Sequence, residues 1–166
     1  MVSLSTRFSG ITPAQSELVA HWQAHCVAGL LPTRDRLDPG KFKAHLSSIS
    51  IVEVAASGQT KFRLVGSGLR RIIGQEMRGR YLSELDQTRF EMWSLGLTRA
   101  LEEQQPIGGV ITQETESHAW LRLPLRCERN GALVMCHDAL IPSIRLKRDS
   151  GNNSYTQQVT SRTLAA

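Results

Sequence analysis

A glycine pair after a predicted strand is the first feature of this sequence that could carry chemistry. Gly66 and Gly68 follow an apolar stretch that begins at Phe62, and Arg70 and Arg71 come soon after them. A dinucleotide-binding loop needs glycines at its first, third and sixth positions, but the sixth position here is Arg71. No P-loop ending follows either. We therefore expect the glycines to serve a strand-to-helix reversal, with phosphate binding at the helix start as the lesser alternative.

Thiol and imidazole groups in the C-terminal half could bind a metal ion. The candidates are Cys127, Cys136, His137 and His118, but the two cysteines lie too far apart for a zinc knuckle and no second pair exists. Asn130-Gly131 is a strong two-residue hairpin turn, and its register puts both cysteines on an apolar face with His137 on the other. We therefore expect small core cysteines and no metal site.

The same register places the carboxylate of Asp138 on the apolar face, opposite Leu123. A carboxylate in that position costs stability unless it is paired. Either a bulge or the sheet edge turns it outward, or it contacts a ligand or a buried arginine. We favour the first explanation, and the environment of Asp138 decides between the two.

Recognised catalytic motifs do not occur in this sequence. His21 and His25 lie four residues apart on a predicted helix, a spacing that suits a metal or a haem group, but we favour surface histidines. The sequence has neither the Gly-x-Ser-x-Gly elbow of hydrolases nor the His-Glu-x-x-His motif of metalloproteases. We therefore expect no enzymatic activity.

Composition and charge fit one globular domain with a basic surface. The chain has 166 residues, no apolar run long enough to span a membrane, and no apolar N-terminal segment that would act as a secretory signal. Its 3 cysteines, an odd number, fit reduced thiols, so we expect a cytoplasmic protein. A net charge of +5 raises nucleic-acid binding as an alternative, but without a dense Lys/Arg block we favour a solvated basic face.

Helices are predicted in four parts of the chain. Thr12-Pro13 starts an amphipathic helix that Gly29 ends, and Asp38-Pro39 opens a second, short helix. Residues 67–85 mix short helices with turns, and a longer helix is predicted over residues 87–104. The apolar stripe of this longer helix contains Phe90, Trp93, Leu97, Ala100 and Leu101.

Strands occupy both ends of the predicted domain. They are expected on both sides of the turn at residues 56–59 and over residues 107–113, 119–127 and 132–141. This order predicts an α+β fold, an antiparallel sheet with helices packed on one face, and not a doubly wound sheet. We expect a tail at residues 1–12, one domain at 13–143 and a disordered tail at 144–166.

Four stretches together carry the pattern of a known family. They are LPTRDRLDP at 31–39, RLVG at 63–66, GQEMRGRYLSEL at 74–85 and WLRLPLRCERNGALVMCHDALIPS at 120–143. Over residues 14–142 the chain resembles a bacterial family of stand-alone PAS proteins of the alphaproteobacterial type. The resemblance implies a PAS-like, five-stranded antiparallel sheet whose helices cover one face and enclose a small cavity, with an amphipathic helix before it.

The resemblance also implies a site without a cofactor. A flavin-binding member would show a cysteine in an asparagine-containing turn, a haem-binding member would show a histidine on the central helix, and neither occurs here. The cavity would be lined by residues that serve equally well as ordinary core: Leu64, Ile72, Ile73, Met77, Leu97, Leu123, Leu125, Cys136 and Asp138.

We therefore expect a single-domain PAS protein that acts in bacterial signal transduction by binding other molecules. The expected partners are a regulatory protein such as a kinase or a response regulator, a small ligand in the cavity, and a second copy paired through the N-terminal helix. No membrane partner is expected. The alternatives are a nucleic-acid-binding regulator that uses the basic face and a small enzyme. The end Leu-Ala-Ala resembles a bacterial degradation tag, a match short enough to arise by chance.

Overall fold

The computed structural model describes residues 8–143, so the predictions for residues 1–7 and for the tail at 144–166, including its Leu-Ala-Ala end, lie outside the described residues. The α-helices are α1 (Pro13–Ala24), α2 (Arg70–Ile73) and α3 (Gln87–Glu103). Shorter 3-10 helices occupy Arg34–Arg36, Pro39–Ser48, Ser67–Leu69 and Leu82–Glu84. The strands are β1 (Ile49–Val54), β2 (Thr60–Val65), β3 (Ile107–Thr112), β4 (Glu116–Leu125) and β5 (Ala132–Pro142).

The strands form one antiparallel sheet with the order β2-β1-β5-β4-β3, which confirms the predicted α+β fold. α2, α3 and the 3-10 helices next to them pack on one face, called here the α3 face. The N-terminal helix α1 and the 3-10 helix Pro39–Ser48 cover the opposite face, called here the α1 face. β4 is consequently buried along nearly its whole length, as expected of a strand that is covered on both sides. Within residues 8–143, none of the helices has the length and apolar character needed to cross a membrane.

The N-terminal helix starts where the sequence predicts. Thr12 Oγ1 accepts a hydrogen bond from the backbone N–H of Gln15 at 3.2 Å, and a proline follows the cap. The helix ends at Ala24, earlier than predicted, because residues 27–30 fold into a tight turn closed by two backbone hydrogen bonds of 3.3 and 2.9 Å. Ala28 in this turn has the left-handed φ of +52°.

The apolar side of α1 packs on its own sheet. Leu18, Val19 and Trp22 are buried against strand residues of the α1 face. Trp22 Nε1 donates a hydrogen bond to the backbone oxygen of Pro124 at 2.8 Å, which fixes the helix across β4. The apolar face of α1 is therefore not available to a second copy while the helix lies in this position.

Gly66 has the structural role that was predicted for the glycine pair. Gly66 directly follows β2, and its N–H donates a hydrogen bond to the backbone oxygen of Ile49 at 2.7 Å. A Cβ at this position would lie only 2.4 Å from Leu46 O and 2.5 Å from Ser47 O. The reversal therefore needs glycine because the backbone of the 3-10 helix Pro39–Ser48 lies directly against it.

The register of the β4–β5 hairpin differs from the prediction. β4 pairs Leu123 with Met135, so Asp138 lies opposite Trp120 and not opposite Leu123. The predicted two-residue turn at Asn130-Gly131 is wrong, because β4 ends at Leu125 and the next residue leaves the hairpin to donate its N–H to Pro32 O at 2.9 Å. Residues 126–131 then form the loop.

The corrected register redistributes the side chains between the two faces. Leu123 and Leu125 belong to the core of the α1 face, whereas Cys136 belongs to the core of the α3 face. His137 lies opposite Leu121 and therefore shares the α1 face with these leucines. Since side chains alternate along a strand, a shift by an odd number of residues exchanges the faces of a whole strand.

Candidate functional site

An ion pair is buried between α3 and the sheet. Arg122 on β4 and Asp138 on β5 are both 0% exposed. The guanidinium donates to both carboxylate oxygens, Nη1 to Oδ2 at 2.9 Å and Nη2 to Oδ1 at 3.0 Å, and Nη1 also donates to Leu121 O at 2.9 Å. Asp138 therefore contacts a buried arginine, and the outward-facing carboxylate that the sequence favoured is wrong.

A histidine completes the pairing of the carboxylate. His118 Nε2 lies 2.7 Å from Asp138 Oδ1, and because an ionised carboxylate only accepts hydrogen bonds, this nitrogen carries the proton. We call Arg122, Asp138 and His118 the polar centre. Its members come from the middle of β4 and β5, where alternate side chains point to the α3 face.

Two tryptophan rings enclose the guanidinium of the polar centre. Arg122 Cζ lies 4.8 Å from the ring centre of Trp93 on α3 and 5.5 Å from that of Trp120 on β4. The helix can approach this closely because Gly96 lies above the site, where a Cβ would stand 2.8 Å from a ring carbon of Trp120. The positive charge is thus held between aromatic faces instead of water.

Both partners of the ion pair are charged at neutral pH. Burial alone would raise the pKa of Asp138, but the Arg122 guanidinium and the hydrogen bond from His118 hold that pKa below its ordinary value. Burial likewise disfavours the charged form of Arg122, but the neighbouring Asp138 carboxylate raises its pKa. The carboxylate accepts from two residues and is closed to solvent, so it has no free oxygen with which to abstract a proton from a substrate.

The thiol of Cys136 lies next to the polar centre and is unreactive. Burial raises the pKa of Cys136 to about 11, although Arg122 and hydrogen-bonding groups of Ser50 and Trp93 favour the thiolate. Ser50 is its cross-strand neighbour on β1. A thiol with this pKa stays protonated near pH 7 and is therefore a poor nucleophile.

Three polar atoms of the α3 face are buried without a hydrogen bond of ordinary geometry. In the described part of the chain, Trp93 Nε1, Arg122 Nε and Ser50 Oγ have no such partner. Two of them are N–H groups that can only donate. A buried donor without an acceptor costs stability, so an oxygen atom of a small molecule or a water would be favourable beside them.

The structure brings together six of the nine side chains predicted to line a cavity. Ile73, Met77, Leu97 and Cys136 are buried in the core of the α3 face, and Ile72 packs against it. Asp138 lies at the edge of this group in the polar centre. The other three do not join them: Leu64, Leu123 and Leu125 lie on the α1 face.

The sequence prediction missed most of the polar centre. Arg122 stands between two leucines in a strand that is otherwise apolar, and a buried guanidinium requires a nearby carboxylate. Asp138 on the next strand had been singled out, so the correct register would have joined the two. Trp93 and Trp120 carried no signal beyond their apolar character, because stacking on an arginine depends on the tertiary structure.

A surface groove of about 560 Å³ runs between α3 and the turn that joins β1 to β2. None of its lining residues is charged, and its floor is formed by Leu82 and Leu97. Tyr81 and Phe90 line it with 41% and 38% of their surface exposed. Phe90 therefore departs from the predicted apolar stripe of α3, because it faces this groove and not the sheet.

The first helix places its two histidines between solvent and core. His21 and His25 are both half-buried, with ring centres 4.3 Å apart, so the predicted surface position holds only in part. The His21 ring meets Phe42 edge-on at 4.6 Å. Among residues 8–143, no three His, Cys, Asp or Glu side chains are grouped so that they could hold a metal ion.

Comparisons with known proteins identify a matching family and similar solved structures. A family model described as PAS domain matches residues 11–125. No curated protein sequence matches the chain significantly. One similar solved structure is a domain of an HTR-like protein from Haloarcula marismortui, with 14% sequence identity, a TM-score of 0.45, and coverage of 57% of this chain and 98% of that chain.

Proposed function

Since the chain belongs to the PAS domain family, we propose that it is a regulatory module of bacterial signal transduction that acts by binding and not by catalysis. Domains of this family typically have a sensory role. The buried polar centre supports a role without catalysis, because the Asp138 carboxylate is saturated by Arg122 and His118 and is 0% exposed. An acid or base that no substrate reaches contributes structure instead of proton transfer.

The α3 face is the proposed site of small-ligand sensing. The observation that carries this proposal is the buried donor Arg122 Nε, which has no acceptor, beside Trp93 Nε1, which interacts only with the thiol of Cys136, a weak acceptor. A ligand with a carbonyl or carboxylate oxygen would satisfy them, and Ile72, Ile73, Met77, Leu97, Cys136 and Asp138 would surround it. Leu64, Leu123 and Leu125 lie on the other side of the sheet and would respond to such a ligand only through the strands.

Output would pass to a regulatory protein such as a kinase or a response regulator. The uncharged groove beside α3, with its exposed Tyr81 and Phe90, supports such a contact. A homodimer through α1 would use its polar side or the turn at residues 27–30, because its apolar side is buried. In that turn Val27 and Leu30 are 59% and 53% exposed.

The setting proposed for this module is the cytoplasm of an alphaproteobacterium. The resemblance of its sequence motifs supports the origin, and the cysteines, which form no disulfide with one another, support a reducing compartment. Nucleic-acid binding is less well supported, because two of the arginines in the basic segment at residues 70–80 lie in ion pairs. Arg71 pairs with Glu116 at 3.2 Å and Arg80 with Glu84 at 3.6 Å.

Native mass spectrometry of the purified protein tests the sensing role. We expect a bound small molecule in the wild-type protein, and a reduced bound fraction in Trp93→Phe, which removes one donor and keeps an aromatic ring. Phe90→Leu, in the outer groove, is the matched control and should retain the molecule. An empty wild-type protein, or equal loss from both variants, would contradict sensing at the α3 face and leave protein binding as the remaining role.

A further inference from the structure

Histidines are concentrated where α1 lies on the sheet. The chain has 5 histidines, and only His118 belongs to the α3 face. His21 lies on α1 and His25 caps its end, His45 lies on the 3-10 helix that packs beside α1, and His137 lies on β5 beneath them. Four histidine rings thus lie on or beside the docked helix, away from the polar centre and the proposed ligand site.

The contact between α1 and β5 requires a neutral histidine. His137 is only 4% exposed, and its Nδ1 lies 3.3 Å from Nε2 of Gln15, which is 0% exposed. Gln15 Oε1 already accepts a hydrogen bond from the Ile11 N–H at 3.0 Å, so the amide turns its NH₂ group to the histidine. Nδ1 must therefore accept, which it does only while it carries no proton.

The charged groups around this contact do not compensate a protonated ring. Burial lowers the pKa of His137 to about 4; Asp138 opposes this shift, whereas His45 and Arg122 add to it. Asp138 is engaged on the other face of the sheet by Arg122 and His118. From the 3-10 helix, His45 approaches with its ring centre 6.4 Å away, and the group of α1 in hydrogen-bond contact with the His137 ring is the neutral amide of Gln15.

We propose that docking of α1 on the sheet is proton-sensitive: a proton on His137 removes the acceptor of Gln15 and shifts the equilibrium towards an undocked helix. The strain at Ala28, with φ of +52°, lies in the segment that would move with the helix. Undocking uncovers the apolar α1 face around Leu121 and Met135. This input is independent of ligand binding on the α3 face and holds with or without it.

The direction of the effect follows from the lowered pKa. A free His137 has an ordinary pKa of 6.5, and the docked one about 4, so the contribution of neutral His137 to docking is present above pH 6.5 and is lost as the pH falls from there towards 4. Between pH 7.0 and 5.5 the equilibrium for undocking should rise roughly eightfold. His45 also contacts Glu17 of α1 at 2.9 Å, and this contact contributes little to docking because the Glu17 side chain is 69% exposed.

Hydrogen exchange followed by mass spectrometry measures the undocking equilibrium of α1 in the full chain. Protection factors, corrected for the intrinsic exchange rate at each pH, are compared at pH 7.0 and 5.5 for peptides of α1 and of β4. We expect protection of α1 to fall roughly eightfold relative to β4. Equal protection at both values of pH, or a joint loss in α1 and β4, would overturn the proposal, since the second result is ordinary acid unfolding.

Two substitutions separate His137 from the other titratable groups. His137→Asn keeps an acceptor oxygen for Gln15 but does not titrate, so the dependence on pH should disappear, whereas His25→Asn should retain it. Gln15→Glu places a carboxylate beside the ring, so acid should then strengthen docking, and this variant decides the matter if His137→Asn does not fold. A wild-type response in His137→Asn, or an unchanged sign in Gln15→Glu, would overturn the proposal.

Discussion

A buried ion pair dominates this protein at the scale of single residues. Arg122 and Asp138 lose all contact with water but gain two charge-assisted hydrogen bonds, a histidine donor and two aromatic faces. Such a pair is not in itself evidence of high stability, because apolar residues of similar volume often replace it without loss. What it does impose is interdependence, since removal of one charge leaves the other buried and uncompensated.

The first prediction concerns this interdependence. Asp138→Asn should lower the free energy of unfolding by about 3–5 kcal/mol, measured by urea unfolding, because it leaves the Arg122 charge unpaired. Because the pKa of Asp138 in the folded protein lies below its ordinary 3.8, the pair is intact at neutral pH and weakens only as the pH falls below that value.

Two further variants give this prediction its controls. Glu116→Gln breaks the exposed pair with Arg71 and should cost only about 0–1 kcal/mol. The double variant Arg122→Met, Asp138→Leu should recover most of the loss seen in Asp138→Asn. If Asp138→Asn has the same free energy of unfolding as Glu116→Gln, the two charges of the buried pair do not depend on each other for stability.

The second prediction concerns cysteine reactivity. With its pKa at about 11, Cys136 is thiolate in roughly one molecule in a thousand at pH 8, and it is also closed to reagents. Iodoacetamide should therefore modify half-buried Cys127 at least about tenfold faster, as read from peptide masses over time. In urea the two rates should converge. Equal rates in the native protein would mean that the α3 face opens readily.

At the scale of elements, close approaches of backbone decide where helices lie. The end of β2 touches the 3-10 helix Pro39–Ser48 through Gly66, and α3 touches the sheet through Gly96. Gly66 has a negative φ and Gly96 lies within a helix, so both have backbone conformations that any residue can adopt. Glycine is required at these positions because there is no space for a side chain. A larger residue at either position changes the distance between two elements.

The third prediction tests the contact at Gly66. Gly66→Ala should destabilise by about 1–3 kcal/mol in urea unfolding, because its Cβ would lie 2.4 Å from a backbone oxygen that has little freedom to move. Gly68→Ala is the matched control, since its nearest contact would be 3.0 Å, and it should cost less. The reverse order of the two variants would show that the reversal after β2 does not depend on this packing.

Most elements could be predicted from the sequence, but not how two of them pair. The start at Thr12 and the long helix at residues 87–103 follow from local capping and periodicity. The β4–β5 register could not be predicted from the sequence, because a backbone hydrogen bond of Arg126 to the distant Pro32 overrides the Asn-Gly turn signal. That one tertiary contact hid the partner of Asp138 and divided the predicted cavity residues between two faces.

At the scale of the whole molecule, buried apolar clusters of the described residues lie on both faces of one sheet. The α3 face is covered by two α-helices and the 3-10 helices next to them. The α1 face is covered by a single α-helix and the 3-10 helix beside it. A sheet of this kind needs both covers, because β4 and β5 carry apolar side chains to each side.

The fourth prediction follows from this dependence. A variant without residues 1–24 should bind the dye ANS and self-associate in sedimentation experiments, because Leu121, Leu123 and Met135 lose their cover. Gln23→Ala, on the exposed side of α1, should behave as the wild-type protein. A truncated protein that stays monomeric without binding the dye would show that the α1 face does not need the helix.

His137 and Asp138 are consecutive residues, yet one contacts α1 and the other contacts Arg122. The step between them is one peptide unit, about 3.4 Å along the strand. Because successive side chains of a strand point to opposite faces, His137 reaches the α1 face and Asp138 the α3 face. The contact that holds the N-terminal helix and the buried ion pair are therefore only one peptide unit apart in the chain, although they lie on opposite sides of the sheet.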